Sequence, residues 1–172
     1  MSELEVPSPW VRRWAELVDR GPVLDVASGA GRHSLLFAER GLEVIAVDRE
    51  PQQIPGARFV QADLEGAPWP FAGERFAAIV VTNYLHRPLL AVLQAALAEE
   101  GVLIYETFMV GNERYGRPSN PAFLLRPGEL LSAFRELTPI AFEQGAVERP
   151  KPAMIQRLCA RRGQVGSARI AP

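Results

Sequence analysis

The stretch from Gly21 to Asp48, GPVLDVASGAGRHSLLFAERGLEVIAVD, constrains the fold more than any other part of this chain. A short apolar run at 23–26 predicts a buried strand, and the glycine-rich turn at 27–31 leads into a predicted helix from about Arg32 to Arg40. A second apolar run, from Glu43 to Val47, predicts another buried strand that ends on the aspartate. This strand–turn–helix–strand unit is typical of the first half of a nucleotide-binding βαβ fold.

The residue types in the turn suit a ligand. Gly29 and Gly31 allow the backbone to approach a bound molecule, because glycine has no Cβ and readily adopts positive φ. The helix that follows presents free N–H groups and the positive end of its dipole. Asp48 lies 19 residues after Gly29, close to the spacing at which an acid binds ribose hydroxyls in such folds. A carboxylate only accepts hydrogen bonds, so it favours a diol over a 2′-phosphate.

Asp25 discriminates between two classes of ligand. Dinucleotide-binding turns read G-x-G-x-x-G/A, whereas Ser34 stands at the third position here. An acid just before the turn would repel a pyrophosphate and would favour a ligand with a cationic amine, such as the methionine part of S-adenosylmethionine. The stretch 25–31 resembles the D-x-x-x-G-x-G motif of class I S-adenosylmethionine-dependent methyltransferases. The alternative is a glycine turn that only packs a helix on a strand.

Composition sets broad limits on function. A chain of 172 residues, 48% hydrophobic and 23% charged, predicts one globular domain, residues 1–172. The acidic start has no hydrophobic signal segment and Cys159 is the single cysteine, so we expect a cytoplasmic protein that contacts no membrane. A net charge of −1 argues against a nucleic-acid partner. Two histidines and one cysteine predict no metal site.

Acids recur at the ends of predicted strands. The third strand, Arg58 to Ala62, is followed by Asp63, so Asp25, Asp48 and Asp63 all fall at the edge where open α/β sheets bind ligands. The connection 49–57 contains two prolines and is short, so the helix usual between strands 2 and 3 is predicted to be shortened or missing. The wall beside the adenine would then be more open, or filled from elsewhere.

The remaining elements complete a three-layer sandwich. We expect an α/β, Rossmann-like methyltransferase fold with a mostly parallel seven-stranded sheet and a C-terminal antiparallel strand. The predicted elements outside the first unit are an N-terminal helix at 8–20, strands Phe76–Thr82 and Val102–Glu106, a helix from Pro88 to Ala98, a long loop Thr107–Leu125, a short helix ending at Glu136, strands Thr138–Gln144 and Met154–Arg161, and a frayed tail 162–172. The long loop is expected to cover an acceptor site, because long loops are usually functional.

Two local patterns sharpen the resemblance. The turn Gly29–Ser34 reads GAGRHS and residues 128–130 read GEL, which is similar to small methyltransferases of the tellurite-resistance type. The resemblance covers roughly Trp10 to Arg161 and implies S-adenosylmethionine as cofactor. The cofactor-binding residues that it implies are Asp25, Ala27, Ser28, Gly29, Gly31, Arg32, His33, Asp48, Arg49, Asp63, Leu64, Asn83, Tyr84 and Leu85.

Catalytic candidates follow at the strand ends and in the long loop. His86, Glu106 and Tyr115 are the candidates for a base or for holding the acceptor, although a soft anionic acceptor needs no base. The segment Asn83–His86 lacks the N-P-P-Y form of many nucleic-acid amine methyltransferases, which favours a small-molecule acceptor. Two other functions stay open, namely a non-enzymatic binding module on the same fold and an NAD-dependent oxidoreductase. The choice between monomer and homodimer also stays open.

Overall fold

The computed structural model describes residues 5–165 and 169–170. Its strands are β1 (Val23–Val26), β2 (Val44–Asp48), β3 (Ala57–Gln61), β4 (Phe76–Thr82), β5 (Leu97–Phe108), β6 (Thr138–Val147) and β7 (Ala153–Arg161). They form one seven-stranded sheet in the order β3–β2–β1–β4–β5–β7–β6. β7 is antiparallel to both of its neighbours, while the pairs from β3 to β5 are parallel. The predicted fold class is confirmed, including the position of β4 at the centre.

Helices cover both faces of the sheet. They are α1 (Pro9–Trp14), α2 (Arg32–Glu39), α3 (Arg87–Ala96) and α4 (Glu129–Ala133), with 3-10 turns at Ala15–Leu17, Asn112–Arg114 and Pro121–Phe123. Residues of α1 and α2 share one buried cluster with one face, and residues of α3 and α4 share a second cluster with the other. Alternate strand residues such as Val23 and Leu24 enter opposite clusters, as the pleat requires. No helix in 5–165 or 169–170 has the length and hydropathy to cross a membrane.

The N-terminal helix begins as its sequence indicates. Ser8 is the N-cap, its side chain accepts a hydrogen bond from Trp10 N at 3.2 Å, and Pro9 occupies the first turn. Trp10 and Trp14 are both 2% exposed and pack edge to face. The helix is shorter than the predicted 8–20, since it ends at Trp14 and continues only as a 3-10 turn to Leu17.

The short connection between β2 and β3 contains no helix, as predicted. Residues 49–56 instead cross over α2, and Ile54, 6% exposed, packs against Gly31. The connection between β3 and β4 has no helix either. Phe71 fills that side of the core, with its ring centroid 5.1 Å from Trp69 and 5.5 Å from Phe76. In both connections, apolar loop side chains therefore pack against the core at positions where a helix would otherwise pack.

Several predicted boundaries differ from the structure by a few residues. β5 begins at Leu97 rather than Val102, because a register shift in its pairing with β4 accommodates Glu100 at a φ of 62°. The predicted tail lies partly outside the described residues. Within the described part, Arg162 N donates to Gly101 O at 2.9 Å and Arg162 Nε donates to Leu97 O at 2.9 Å, so this residue is attached to the sheet.

Candidate active site

The glycine turn between β1 and α2 leaves open space above Gly29. Ala27, Gly29 and Gly31 have φ values of 53°, 52° and 87°, so the chain turns sharply. A Cβ built on Gly29 would meet nothing within 4 Å, whereas one on Gly31 would lie 2.6 Å from Ile54. Ser28 N donates to Val47 O at 3.1 Å and ties the turn to β2. The open side of Gly29 is therefore available to a ligand, while Gly31 is required for packing.

Asp48 lies directly beside this turn. Its Oδ2 accepts a hydrogen bond from Gly29 N at 2.9 Å, and its Oδ1 accepts one from Glu50 N at 3.0 Å. Each carboxylate oxygen has a second lone pair, so both remain able to accept from a ligand hydroxyl. The sequence separation predicted this acid, and the hydrogen bond to Gly29 explains how the turn and the end of β2 are held together.

Asp25 is buried at the end of β1, with 2% of its surface exposed. Its Oδ2 accepts from Ser34 Oγ at 2.6 Å and from Ser34 N at 3.0 Å, which caps the first turn of α2. Burial raises the pKa of Asp25 to about 7, although the two bonds from Ser34 oppose this rise. No cationic side chain among residues 5–165 forms an ion pair with it. Ser34 therefore holds the carboxylate in place, and Arg32 lowers its pKa without forming an ion pair with it.

Further acids and an aromatic ring lie together along the same edge. Burial raises the pKa of Tyr84, and the nearby carboxylates of Glu65, Asp63 and Asp48 raise it further. Asp63 is exposed and its Oδ1 accepts from Glu65 N at 3.0 Å. Arg49 is exposed beside Glu50, and the remaining two predicted residues of this edge, Leu64 and Leu85, contact or join the hydrophobic core. The structure thus brings Asp48, Asp63 and Tyr84 near one another.

A cavity of about 380 Å³ lies where β5 ends and β7 begins. It is enclosed by the N-terminal segment 6–9, the start of α2, and the turn 148–152 between β6 and β7. Its charged side chains are Arg12, Arg32, Glu106, Arg149, Lys151 and Arg157, and its apolar walls include Val6, Phe108, Val147, Ala153 and Ile155. A second cavity, of about 330 Å³, lies at the opposite edge beside Ala77 and Val102, away from the acids described above.

The comparisons with known proteins agree with this geometry. The family model described as a methyltransferase domain matches residues 23–101. TehB from Haemophilus influenzae has a TM-score of 0.73 at 16% identity, over 89% of this chain and 61% of that one. Residues 23–101 are therefore similar to a methyltransferase domain, and the chain shares the fold of these proteins. The predicted resemblance to the S-adenosylmethionine-dependent family, and to its tellurite-resistance type, is confirmed.

Two further solved structures share the fold of this chain. A 1,6-didemethyltoxoflavin-N1-methyltransferase from Burkholderia thailandensis has a TM-score of 0.64 at 24% identity, over 91% of this chain and 77% of that one. A TehB-like S-adenosylmethionine-dependent methyltransferase from Corynebacterium glutamicum has a TM-score of 0.61 at 22% identity, over 89% and 88%. No curated protein matches the sequence significantly. This chain spans 61% of the length of the TehB chain.

The three predicted catalytic residues are not brought together. Glu106 lines the cavity. His86 is absent from its lining and has Nδ1 3.6 Å from Glu65 Oε1, on the side of Asp63. Tyr115 is 45% exposed in the long loop. Of these candidates, only Glu106 lies where a molecule in the cavity would touch it.

Glu106 is held by two donors. Its Oε1 accepts from Ser8 Oγ at 2.7 Å, and its Oε2 accepts from Arg157 Nη1 at 3.2 Å. Arg157 also pairs with Glu143 and lies over the Trp10 ring, 4.7 Å from its centroid. Sequence reasoning missed the residues from the N-terminal segment and from β7, because only strand pairing brings them beside β5.

Arg32 and His33 hold the N-terminal segment. His33 is 2% exposed, and its Nε2 accepts from Ser8 N at 3.0 Å, with Nδ1 3.5 Å from Thr82 Oγ1. Burial lowers the pKa of His33 to about 3, so the ring is neutral. Arg32 Nη1 donates to Val6 O at 3.1 Å, and burial lowers the pKa of Arg32. Both residues, expected at the cofactor, have side chains that position residues 6–8.

The long loop is fixed to the sheet rather than free above it. Asn112, 1% exposed, accepts from Met154 N at 3.0 Å and donates to Pro118 O at 2.9 Å. Val110 N and Leu125 O also form a hydrogen bond of 2.9 Å. Phe108, predicted in this loop but observed as the last residue of β5, contributes a wall of the cavity, whereas Tyr115 and Phe123 point their exposed rings to solvent.

Proposed function

We propose that this protein transfers a methyl group from S-adenosylmethionine to a small-molecule acceptor. The single observation that carries this is the arrangement at the turn. An open Gly29 lies beside the acceptor oxygens of Asp48, next to a buried Asp25 that has no ion-pair partner in the described chain. Such a set suits a ligand with a ribose and an amine.

Each chemical group of the cofactor would have a partner among these residues. Asp48 would accept from the ribose hydroxyls, and Asp25 with the backbone of 27–31 would hold the cationic methionine end. Asp63, the Leu64 N–H and Tyr84 would face the adenine. Solved relatives in fold carry the demethylated cofactor, among them the Burkholderia enzyme and the N-methyltransferase NodS, each described with S-adenosylhomocysteine.

The residues of the cavity would organise the transfer. When bound, S-adenosylmethionine supplies a methyl group activated by a sulfonium, suited to in-line displacement. Arg32 and Asn83 line the cavity from the side of the proposed cofactor site. Both oxygens of Glu106 already accept hydrogen bonds from protein groups, which fixes the position of the carboxylate. With its remaining lone pairs it would accept a hydrogen bond from an N–H or O–H group of the substrate and so orient the substrate's nucleophilic atom towards the methyl group. His86 and Tyr115 stay predictions as catalytic residues.

A ligand-binding experiment tests the cofactor. S-adenosylhomocysteine at about 100 times its Kd should stabilise the protein by about 2.7 kcal/mol in thermal unfolding, and NADH should not. Asp48→Ala should weaken binding about 10- to 150-fold, because it removes hydrogen bonds to the ribose. Asp19→Ala is the matched control, since Asp19 is exposed at the opposite edge beside the second cavity. Tighter binding of NADH than of S-adenosylhomocysteine would overturn the proposal.

A further inference from the structure

The charge of the cavity differs from that of the whole chain. The chain has a formal net charge of −1, yet five cationic side chains line the cavity against one acid, Glu106. The five are Arg12, Arg32, Arg149, Lys151 and Arg157. Lys151 is the only lysine in the sequence. A cleft lined mainly by positive charges raises the local concentration of negatively charged ligands.

Three of these cations, Arg12, Arg149 and Lys151, form no ion pair within residues 5–165. Arg157 forms ion pairs with Glu106 and Glu143, and Arg32 donates a hydrogen bond to Val6 O. Arg149 and Lys151 are exposed on the turn between β6 and β7 and form no ion pair with any residue in 5–165. Their charges are therefore free to meet a ligand at the mouth of the cavity.

The walls below this turn are apolar. Phe108, Ile155 and Ala153 lie on adjacent positions of β5 and β7, and Val147 closes the side from β6. A volume of about 380 Å³ falls in the range of small-molecule sites. Burying an apolar body here would release water from these walls, which favours binding by roughly 25 cal/mol per Å².

We propose that the methyl acceptor is an organic anion, with an apolar body against Phe108 and Ile155 and an acidic head group at Arg149 and Lys151. This rests on the proposed function, because it names the acceptor of that same site. The head group is a carboxylate, sulfonate or phosphate. The same cations disfavour a positively charged amine, since like charges in a desolvated cleft repel.

Isothermal titration with a matched pair of probes tests the proposal. The probes are naphthalene-2-carboxylate and its neutral isostere naphthalene-2-carboxamide, each titrated into protein saturated with S-adenosylhomocysteine. The double variant Arg149→Gln/Lys151→Gln should raise the Kd of the carboxylate about 5- to 30-fold, because it removes two partly solvated charges. The Kd of the carboxamide should change less than about 2-fold. In the wild type the carboxylate should bind more tightly than the carboxamide.

The control is Arg58→Gln/Arg135→Gln, which removes the same charge from exposed arginines outside the cavity. It should leave both probes unaffected. Equal binding of the two probes to the wild type, or the same loss in the control, would overturn the anionic acceptor. Inorganic phosphate competing as well as the naphthoate would overturn the apolar body. Failure of S-adenosylhomocysteine to bind is a separate result, which would refute the proposed function instead.

Discussion

Asp25 and Glu129 are both buried carboxylates, yet their environments shift the pKa in opposite directions. Asp25 is 2% exposed and Glu129 is 8% exposed. Burial raises the pKa of Asp25 to about 7. Burial also acts to raise the pKa of Glu129, but hydrogen bonds from Arg87 and from Arg126 outweigh it and lower the pKa to about 2. Burial alone therefore does not decide the charge of a carboxyl, because its hydrogen-bond and ion-pair partners can outweigh it.

The difference separates a structural acid from a binding acid. Glu129 accepts from Arg87 Nε at 2.6 Å, Arg87 Nη2 at 3.1 Å and Arg126 N at 2.7 Å, so its charge is compensated within the protein. Arg87 also donates to Ala122 O and Leu124 O, which fastens the end of the long loop to α3. Asp25 has only the two donors of Ser34. A buried acid without a cation is a candidate for binding a cationic ligand group.

The largest expected effect comes from breaking the compensated pair. Arg87→Met should lower the free energy of unfolding by about 3 kcal/mol at neutral pH, because it leaves Glu129 charged and buried without its main partner. The lowered pKa of Glu129 means that its stabilisation is present above its ordinary value of 4.5 and is lost as pH falls towards about 2. The deficit of the variant should therefore shrink in acid, as measured by urea unfolding.

Arg126→Gln is the matched control for that experiment. Its side chain is 74% exposed and lies 3.4 Å from Glu129, while its backbone N–H contact is kept. An exposed pair of this kind contributes about 0–1 kcal/mol. If Arg126→Gln lowered the free energy of unfolding as much as Arg87→Met does, the contact between Arg87 and Glu129 would not be what distinguishes Glu129 from Asp25.

The second effect concerns the uncompensated acid. Asp25→Asn should raise the free energy of unfolding of the ligand-free protein by about 2 kcal/mol at pH near 8, because an amide keeps the acceptor for Ser34 without a buried charge. The folded pKa is raised above its ordinary value of 3.8, so ionised Asp25 destabilises the fold increasingly as pH rises from there to about 7. The gain should vanish near pH 4. A variant less stable than wild type at the higher pH would assign Asp25 a purely structural role.

The third and smallest effect is on ligand affinity. S-adenosylhomocysteine should bind about 10- to 25-fold more weakly at about pH 5.5 than at about pH 7.5, because its ammonium group pairs only with ionised Asp25, whose pKa is about 7. The charge of Arg32 lowers the pKa of Asp25 and the charge of Asp48 raises it, so both residues influence the pH at which the affinity changes. Titration calorimetry across this range measures it. A flat profile would contradict the pairing of Asp25 with the amine.

Part of this architecture could be read from residues alone. The strands were found because their apolar runs are short and bounded by glycine or acidic residues, and β4 was predicted at Phe76–Thr82 as observed. Pro51 and Pro55 predicted that the helix between β2 and β3 is shortened or missing, and no helix is present there. The start of β5 was missed, because Glu99 and Glu100 look like a helix end in sequence and become strand residues only through a bulged pairing.

The sequence by itself determined the turn, the acids at the ends of β1 and β2, and the order of elements, because these depend on local residue types and on spacings of a few tens of residues. Only the tertiary structure decided what surrounds Glu106. Ser8 and Arg157 reach it from opposite ends of the chain, since β7 enters the sheet antiparallel beside β5 and His33 fixes the N-terminal segment above. The cavity and its cationic rim follow from that long-range pairing, which no local pattern encodes.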